Sequence, residues 1–248
     1  MFNTLEYWNQ NIPMAYIEEG YDYEYARRER YRIIYYLKDI VNFESYRGKN
    51  VLEIGCGSGI DSAEFARNGA SVTSVDFSDK ATYLTQKLFD NQKFLADIRK
   101  ADITNLPFLN ETFDLVYSFG VLHHIPEVAK SIYEIYRTLI YGGEFIGMLY
   151  NKNSLLYAYS IIYLHGIKEG LLEDFSEQEI LSRFSEKTEN CPYTKAYTKQ
   201  EAYDLFSKHF RKVNITAHYG VIDTPQMRKR LISDSEDLGW HLIIKCKK

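Results

Sequence analysis

Four residues at every second position, Glu53, Gly55, Gly57 and Gly59, sit in the stretch Val51-Leu52-Glu53-Ile54-Gly55-Cys56-Gly57-Ser58-Gly59. Glycine tolerates φ > 0 and leaves the backbone bare enough for a ligand to lie against it. About twenty residues on, the apolar run Val72-Thr73-Ser74-Val75 ends in Asp76, at the spacing where a carboxylate can accept the hydroxyls of a ribose. Glu53 puts an acid beside the glycine turn, which would repel a pyrophosphate and suits a ligand with positive charge. Further on, Asp102-Ile103 follows a third candidate strand at about 97–101, and Ser118 ends a fourth, with the pair His123-His124 just beyond it. A histidine at such an edge is the commonest base for taking a proton from a hydroxyl.

These residues need elements to hold them. Residues 51–54 read as a short buried strand, and the glycines turn the chain into a helix beginning near Asp61, which ends at Asn68-Gly69. Strands follow at 72–76, about 97–101, 113–118 and 144–149. Between them lie a helix capped by Ser78, with Ala81, Leu84 and Leu88 inward, and one opened by Pro126, with Val128, Ile132, Ile135 and Leu139 at helical spacing. Strands alternating with helices at this pace predict a parallel sheet with its ligands at the strand C-termini. Upstream, a single helix is expected over about 24–41. Its polar face carries Arg27, Arg28, Arg30 and Arg32, either for an anion or as an internally paired surface. After Leu149 no strand signal is visible up to Tyr197. A helix near 155–164 and a capping box, Ser176-x-x-Glu179, suggest an inserted cap, and Thr198-x-x-Glu201 is a second capping box. Closing strands at about 212–218 and 240–246 complete the sheet. The chain thus divides into an N-terminal helical segment (1–47), a core (48–149), a helical cap or lid (150–197) and a closing helix with two strands (198–248).

On these residues the chain resembles the class I S-adenosylmethionine (SAM)-dependent methyltransferases, in their small-molecule, UbiE-like branch. The family's first motif, acid-x-Gly-x-Gly-x-Gly, is matched by Glu53 to Gly59. A dinucleotide fingerprint would need a glycine where Ile60 stands. The resemblance implies a doubly wound, seven-stranded, mostly parallel Rossmann-like sheet with a helical cap after strand five, and SAM as cofactor. By the same resemblance, Asp76 binds the ribose hydroxyls and Phe77 lies against the adenine. The segment Asp102-Ile103-Thr104-Asn105-Leu106-Pro107-Phe108 is similar to the family's Asp-Ala-x-x-Leu-Pro-Phe signature. It implies that Asp102 accepts from the adenine amino group and that Ile103 offers its backbone amide. The segment Ser118 to Pro126 resembles the wall of the methyl-transfer site, and Gly142-Gly143-Glu144 the turn before strand five. Expected cofactor contacts are therefore Glu53, Gly55, Cys56, Gly57, Gly59, Asp76, Phe77, Asp102, Ile103 and Ser118. His123 and His124 are the expected catalytic pair, with His123 favoured because His124 is nearer the next helix start.

Composition narrows the function. The chain has 248 residues, 45% hydrophobic and 26% charged, as expected of a globular protein. A net charge of −4 argues against nucleic acid. So does Ser118-Phe119-Gly120-Val121-Leu122-His123, which lacks the Asn/Asp-Pro-Pro-aromatic segment of enzymes that methylate flipped bases. Cys56, Cys191 and Cys246 make neither a disulfide framework nor a metal spacing, and His165, His209, His218 and His241 stand alone. Cys56 reads as a small loop filler. No apolar leader or long hydrophobic span is seen, and a cytoplasmic protein with no membrane partner is expected. The reading is methyl transfer from SAM to a small molecule, with oxygen the expected acceptor. The alternatives are a non-catalytic SAM-binding partner subunit, or transfer to N, C or S. SAM and S-adenosylhomocysteine are expected to bind in roughly the micromolar range, and NAD not at all. Calorimetry that finds NAD bound and SAM ignored would overturn the reading.

Overall fold

The computed structural model describes residues 4–186, 191–218 and 237–248. Parts of the expected cap (187–190) and of the closing segment (219–236) lie outside the described residues. The strands are β1 (Asn50–Ile54), β2 (Ser71–Asp76), β3 (Ala96–Lys100), β4 (Phe113–Phe119), β5 (Leu139–Asn151), β6 (Ala196–Tyr197), β7 (Lys212–His218) and β8 (His241–Lys247). Seven lie side by side in the order β3-β2-β1-β4-β5-β8-β7, and the two-residue β6 pairs with β5 off this path. β1 pairs in parallel with β2 and β4, β2 with β3, and β4 with β5. β8 runs antiparallel to both β5 and β7. The expected doubly wound, mostly parallel sheet is what forms.

Period-two side-chain alternation divides the central strands between two cores. Val51, Leu115 and Tyr117 belong to one face, and Leu52, Ile54 and Val116 to the other. Because helices cover both faces, β1 is buried on each from Val51 to Ile54, and Glu53 is the charged residue among them. The flanking helices are α1 (Thr4–Gln10), α2 (Tyr23–Ile33), α3 (Leu37–Ile40), α4 (Ile60–Arg67), α5 (Asp79–Gln92), α6 (Val128–Thr138), α7 (Glu177–Phe184) and α8 (Lys199–Phe206). Ser78 caps α5 by accepting from the Ala81 amide. Both expected capping boxes form, at Ser176/Glu179 and Thr198/Glu201.

Several local expectations need correction. β5 begins at Leu139, so Leu139 leaves the preceding helix and Gly142-Gly143-Glu144 lie within the strand rather than before it. β6 falls in the stretch where no strand signal is visible. The single helix over 24–41 is broken into α2 and α3, because the chain turns at Ile34 (φ −100°, ψ 63°). That turn brings the Tyr36 hydroxyl to 2.6 Å from Nδ1 of buried His241 and sends Leu37 into the core. The helix near 155–164 is a π-helix, Tyr157–Lys168. The helix expected to open at Pro126 begins at Val128, preceded by a 3₁₀ turn over Leu122–His124. No helix among the described residues is long and apolar enough to cross a membrane.

Buried His241 gives a pH signature. Burial, then the nearby Arg30 and His218 charges, pushes its imidazole down to about 3. Its value in an unfolded chain is near 6.5, so between those values the unfolded state binds more protons than the folded one. The stability is fully present above about pH 6.5 and is lost as pH falls toward 3. His241→Gln is therefore expected to flatten the decline in melting temperature between pH 6.5 and 4. Parallel profiles for the variant and the wild-type chain would contradict the assignment.

Candidate active site

The C-terminal ends of β1, β2 and β4 open into a cavity of about 440 Å³, within the range of small-molecule sites. The turn after β1 forms its floor. Gly55 has φ +75° and Gly57 φ +54°, but for different reasons. A Cβ on Gly55 would stand 2.1 Å from Cγ2 of Val121, whereas one on Gly57 would meet no protein atom within 4 Å. The chain itself requires the first glycine. The second faces open space at the cavity wall, as needed where a ligand lies on the backbone.

Three carboxylates surround this floor. Asp76, at the end of β2, accepts the Gly57 amide at 3.0 Å and the Ser78 amide at 2.9 Å. Burial pushes its carboxyl up, and these amides partly offset the rise. Glu53 is buried and accepts from the Ser62 hydroxyl, which is 2.6 Å from the Ser74 hydroxyl. Burial, and then the Asp61 charge, drives Glu53 well above the usual carboxylate range. Asp61, in the first turn of α4, is held by Arg30 at 2.5 and 3.1 Å, by the Tyr117 hydroxyl at 2.8 Å and by the Tyr31 hydroxyl at 3.2 Å. The Arg30 guanidinium also lies 4.8 Å from the Phe119 ring centroid.

Most of the expected cofactor contacts line this cavity: Glu53, Gly55, Cys56, Gly57, Asp76, Phe77, Asp102 and Ile103. Phe77 is 42% exposed at the cavity edge, open to a flat ligand. Asp102 is exposed and accepts from the Thr104 amide and hydroxyl, so it also caps its own turn. Burial pushes the Cys56 thiol up, as for an unreactive filler. Two expected contacts lie off the cavity wall. Gly59 (φ +79°) starts α4, and its Cβ direction faces Thr85. Ser118 is fully buried, its hydroxyl donating to the Ile54 carbonyl at 3.1 Å.

The histidine pair also separates. His124 lines the cavity, whereas His123 lies behind it, fully enclosed, with its ring stacked on Tyr150 at 3.8 Å. Burial pushes both imidazoles down, His123 well below the usual range. Nδ1 of His124 is 3.0 Å from the Tyr193 carbonyl, and Nε2 is 3.5 Å from a Glu186 oxygen. Trp8 packs edge-on against the His124 ring, with centroids 4.8 Å apart.

The outer wall differs from the expected lid over 150–197. Trp8, Ile12, Pro13 and Met14 supply it, rather than the described residues of 150–197, which reach the site by holding His124. Of the two readings of the Arg27–Arg32 face, internal pairing is the one found for Arg30, although its partner Asp61 lies at the cavity edge. A signal for its pairing exists in the spacing, since Arg27 and Arg30 on α2 match Glu64 and Asp61 on α4 in reverse order.

Comparison with known proteins agrees with this geometry. Residues 52–147 match the family model for a methyltransferase domain. The chain is 29% identical over 126 residues to a ubiquinone biosynthesis O-methyltransferase of Coxiella burnetii, covering 51% of this chain and 54% of that protein. It is 34% identical over 115 residues to the protein of the same name from Nitrosomonas europaea, covering 46% and 49%. The chain thus spans about half the length of these curated relatives. Among solved structures, a SAM-dependent methyltransferase of Mesorhizobium loti superposes with a TM-score of 0.59 at 16% identity, covering 82% of this chain and 92% of that one. At that identity the likeness concerns the fold.

The two glycines provide a paired test. Gly55→Ala is expected to destabilise the fold by about 2–5 kcal/mol, because Val121 must move and alanine is strained at φ +75°. Gly57→Ala is expected to cost only about 1–2 kcal/mol of backbone strain while weakening S-adenosylhomocysteine binding at least tenfold. Unchanged affinity in a folded Gly57→Ala protein would show that the ligand does not lie against this turn.

Proposed function

We propose that this chain, whose residues 52–147 match the family model for a methyltransferase domain, transfers a methyl group from SAM to a hydroxyl oxygen of a small molecule. The observation that carries the reading is the cavity at the ends of β1, β2 and β4, floored by Gly57 and edged by Glu53, Asp61 and Asp76. SAM, when bound, supplies a methyl carbon on a sulfonium, which an acceptor oxygen attacks in line while S-adenosylhomocysteine leaves.

The residues fit such a ligand. The Asp76 carboxylate has lone pairs beyond the two that meet backbone amides, free for ribose hydroxyls. Phe77 and Asp102 stand where the adenine face and edge would lie, and Ile103 lines the same end. Arg30 and Asp61 offer opposite charges to the carboxylate and ammonium of the amino-acid end, and Glu53, held protonated by burial, becomes a charged partner when a cation settles beside it. Trp8, Ile12 and Met14 put apolar surface on the wall beside His124, against which an acceptor would be aligned, and alignment alone supplies much of the acceleration. The names of the Coxiella and Nitrosomonas relatives support oxygen as the acceptor atom.

A hydroxyl must lose its proton as the methyl arrives. Of the two candidate histidines, the reading assigns His124 to this end, since it lines the cavity and His123 does not. Glu186, 3.5 Å from Nε2, provides the adjacent negative charge.

S-adenosylhomocysteine release during incubation with a panel of phenols and aliphatic alcohols tests the reading, and turnover of none of them would count against it. Asp76→Ala is expected to cost about 1.5–3 kcal/mol in S-adenosylhomocysteine binding, roughly ten- to a hundredfold, as a charge-assisted contact is lost. With a turned-over acceptor, His124→Ala is expected to lower kcat by roughly 10²–10⁴ with S-adenosylhomocysteine affinity unchanged. Near-normal kcat would retire the histidine.

A further inference from the structure

His123, His124 and Glu186 form a cluster that the cofactor contacts leave unused. One potential ligand atom from each lies within 4.8 Å of the others. The two histidines come from the 3₁₀ turn after β4, and Glu186 from just beyond α7, so no sequence spacing announces the group.

Three features of the cluster point to an occupant. First, His123 is fully enclosed, yet neither ring nitrogen makes a hydrogen bond of normal geometry; only a backbone contact at Met148 lies near. Buried imidazole nitrogens are normally satisfied. Second, if the Nδ1–H of His124 donates to the Tyr193 carbonyl, the lone pair falls on Nε2. That atom lies 3.5 Å from a Glu186 oxygen, so two acceptors face each other where a cation would join them. A backbone carbonyl fixing the far nitrogen is the usual outer support of a metal-binding histidine. Third, the Tyr150 hydroxyl donates to Glu186 at 2.7 Å, and the Tyr150 ring stacks on His123, so one residue orients two of the three groups.

We propose that His123, His124 and Glu186 bind a divalent transition-metal ion of the zinc class. Two imidazoles and a carboxylate suit zinc or cobalt rather than magnesium or calcium, which prefer all-oxygen sites. Bonds of about 2.0–2.2 Å set tetrahedral ligand atoms roughly 3.3–3.5 Å apart. His124 and Glu186 already have that separation, and His123 offers a ring nitrogen within 4.8 Å of both. Three protein ligands leave a coordination position open, as in catalytic rather than structural zinc sites, and His124 sets the site beside the cavity. Use of the ion in catalysis rests on the methyl-transfer reading. In the metal-loaded enzyme His124 is a ligand with its Nε2 lone pair on the ion, so the base role proposed above belongs to the metal-free chain. The acceptor hydroxyl takes the open position and its pKa falls. Its proton leaves to solvent, the O–C bond forms, the C–S bond breaks, and the bonding pair returns to sulfur.

The test is calorimetric titration of the untagged, chelator-stripped chain with zinc chloride, and separately with S-adenosylhomocysteine. Visible spectroscopy of the cobalt form reports geometry. The expected result is stoichiometric zinc binding and a cobalt spectrum of tetrahedral intensity. His123→Ala and Glu186→Gln should each weaken zinc by at least about tenfold while retaining S-adenosylhomocysteine binding, which also verifies that they fold. Cys191→Ser, which alters the thiol 3.6 Å from Nδ1 of His124, should keep zinc affinity. Zinc binding that fails in the parent chain, survives both His123→Ala and Glu186→Gln, or depends on Cys191 instead overturns the proposal. Failure of S-adenosylhomocysteine alone, with zinc bound as expected, would defeat the methyl-transfer reading and leave the metal site standing.

Discussion

Three carboxylates, Glu53, Asp61 and Asp76, share one cavity edge, and the structure around that edge depends on their being kept there together. Each is compensated differently. Asp61 has a full counter-charge in Arg30 and two tyrosine hydroxyls. Asp76 has backbone amides. Glu53 has the Ser62 hydroxyl and a weaker pull from Arg30, and burial beside Asp61 favours its protonated form. A buried ion pair such as Arg30–Asp61 adds little net stability, but removing one partner costs about 3–5 kcal/mol because the other is left uncompensated. Its role is therefore one of position. It fastens α2 to the start of α4 and leaves the remaining acids as the groups a cationic ligand would complete.

The fold serves this edge economically. Parallel strands bring the ends of β1, β2 and β4 to one side, and helices on both faces make those strands apolar enough to be recognised. The glycine turn lets the chain pass close beneath a ligand, and the Gly57 amide ties that turn to Asp76. The N-terminal residues return across the opening. Trp8 then joins the cavity wall to His124, which the segment beyond β5 holds from the other side through Tyr193 and Glu186.

The sheet and cofactor floor were legible because their signals are local. Strand periodicity, the Glu53 to Gly59 spacing, Asp76 at a strand end, and Ser78, Ser176 and Thr198 as caps each need only a few neighbouring residues. The misses share the opposite property. The break between α2 and α3 follows from Tyr36 meeting His241, some two hundred residues away along the chain. Whether His123 or His124 faces the cavity depends on a 3₁₀ turn and on Tyr150, and adjacent residues in a sequence carry no sign of which is covered. Ser118 sits at a strand end as expected, but its hydroxyl turns back to the Ile54 carbonyl. The outer wall came from residues 4–14 because a polar, aromatic stretch has no period that reveals its docking site.

The central claim is that the acid-rich end of the cavity recognises the charged amino-acid portion of a sulfur-linked adenosine. Comparing the calorimetric affinities of S-adenosylhomocysteine and 5′-methylthioadenosine, which lacks that portion, tests it most directly. The account predicts that S-adenosylhomocysteine binds at least about tenfold more tightly, a difference of about 1.4 kcal/mol or more. Equal affinities would mean that Glu53 and the Arg30–Asp61 pair do not meet the ligand, and would contradict the account.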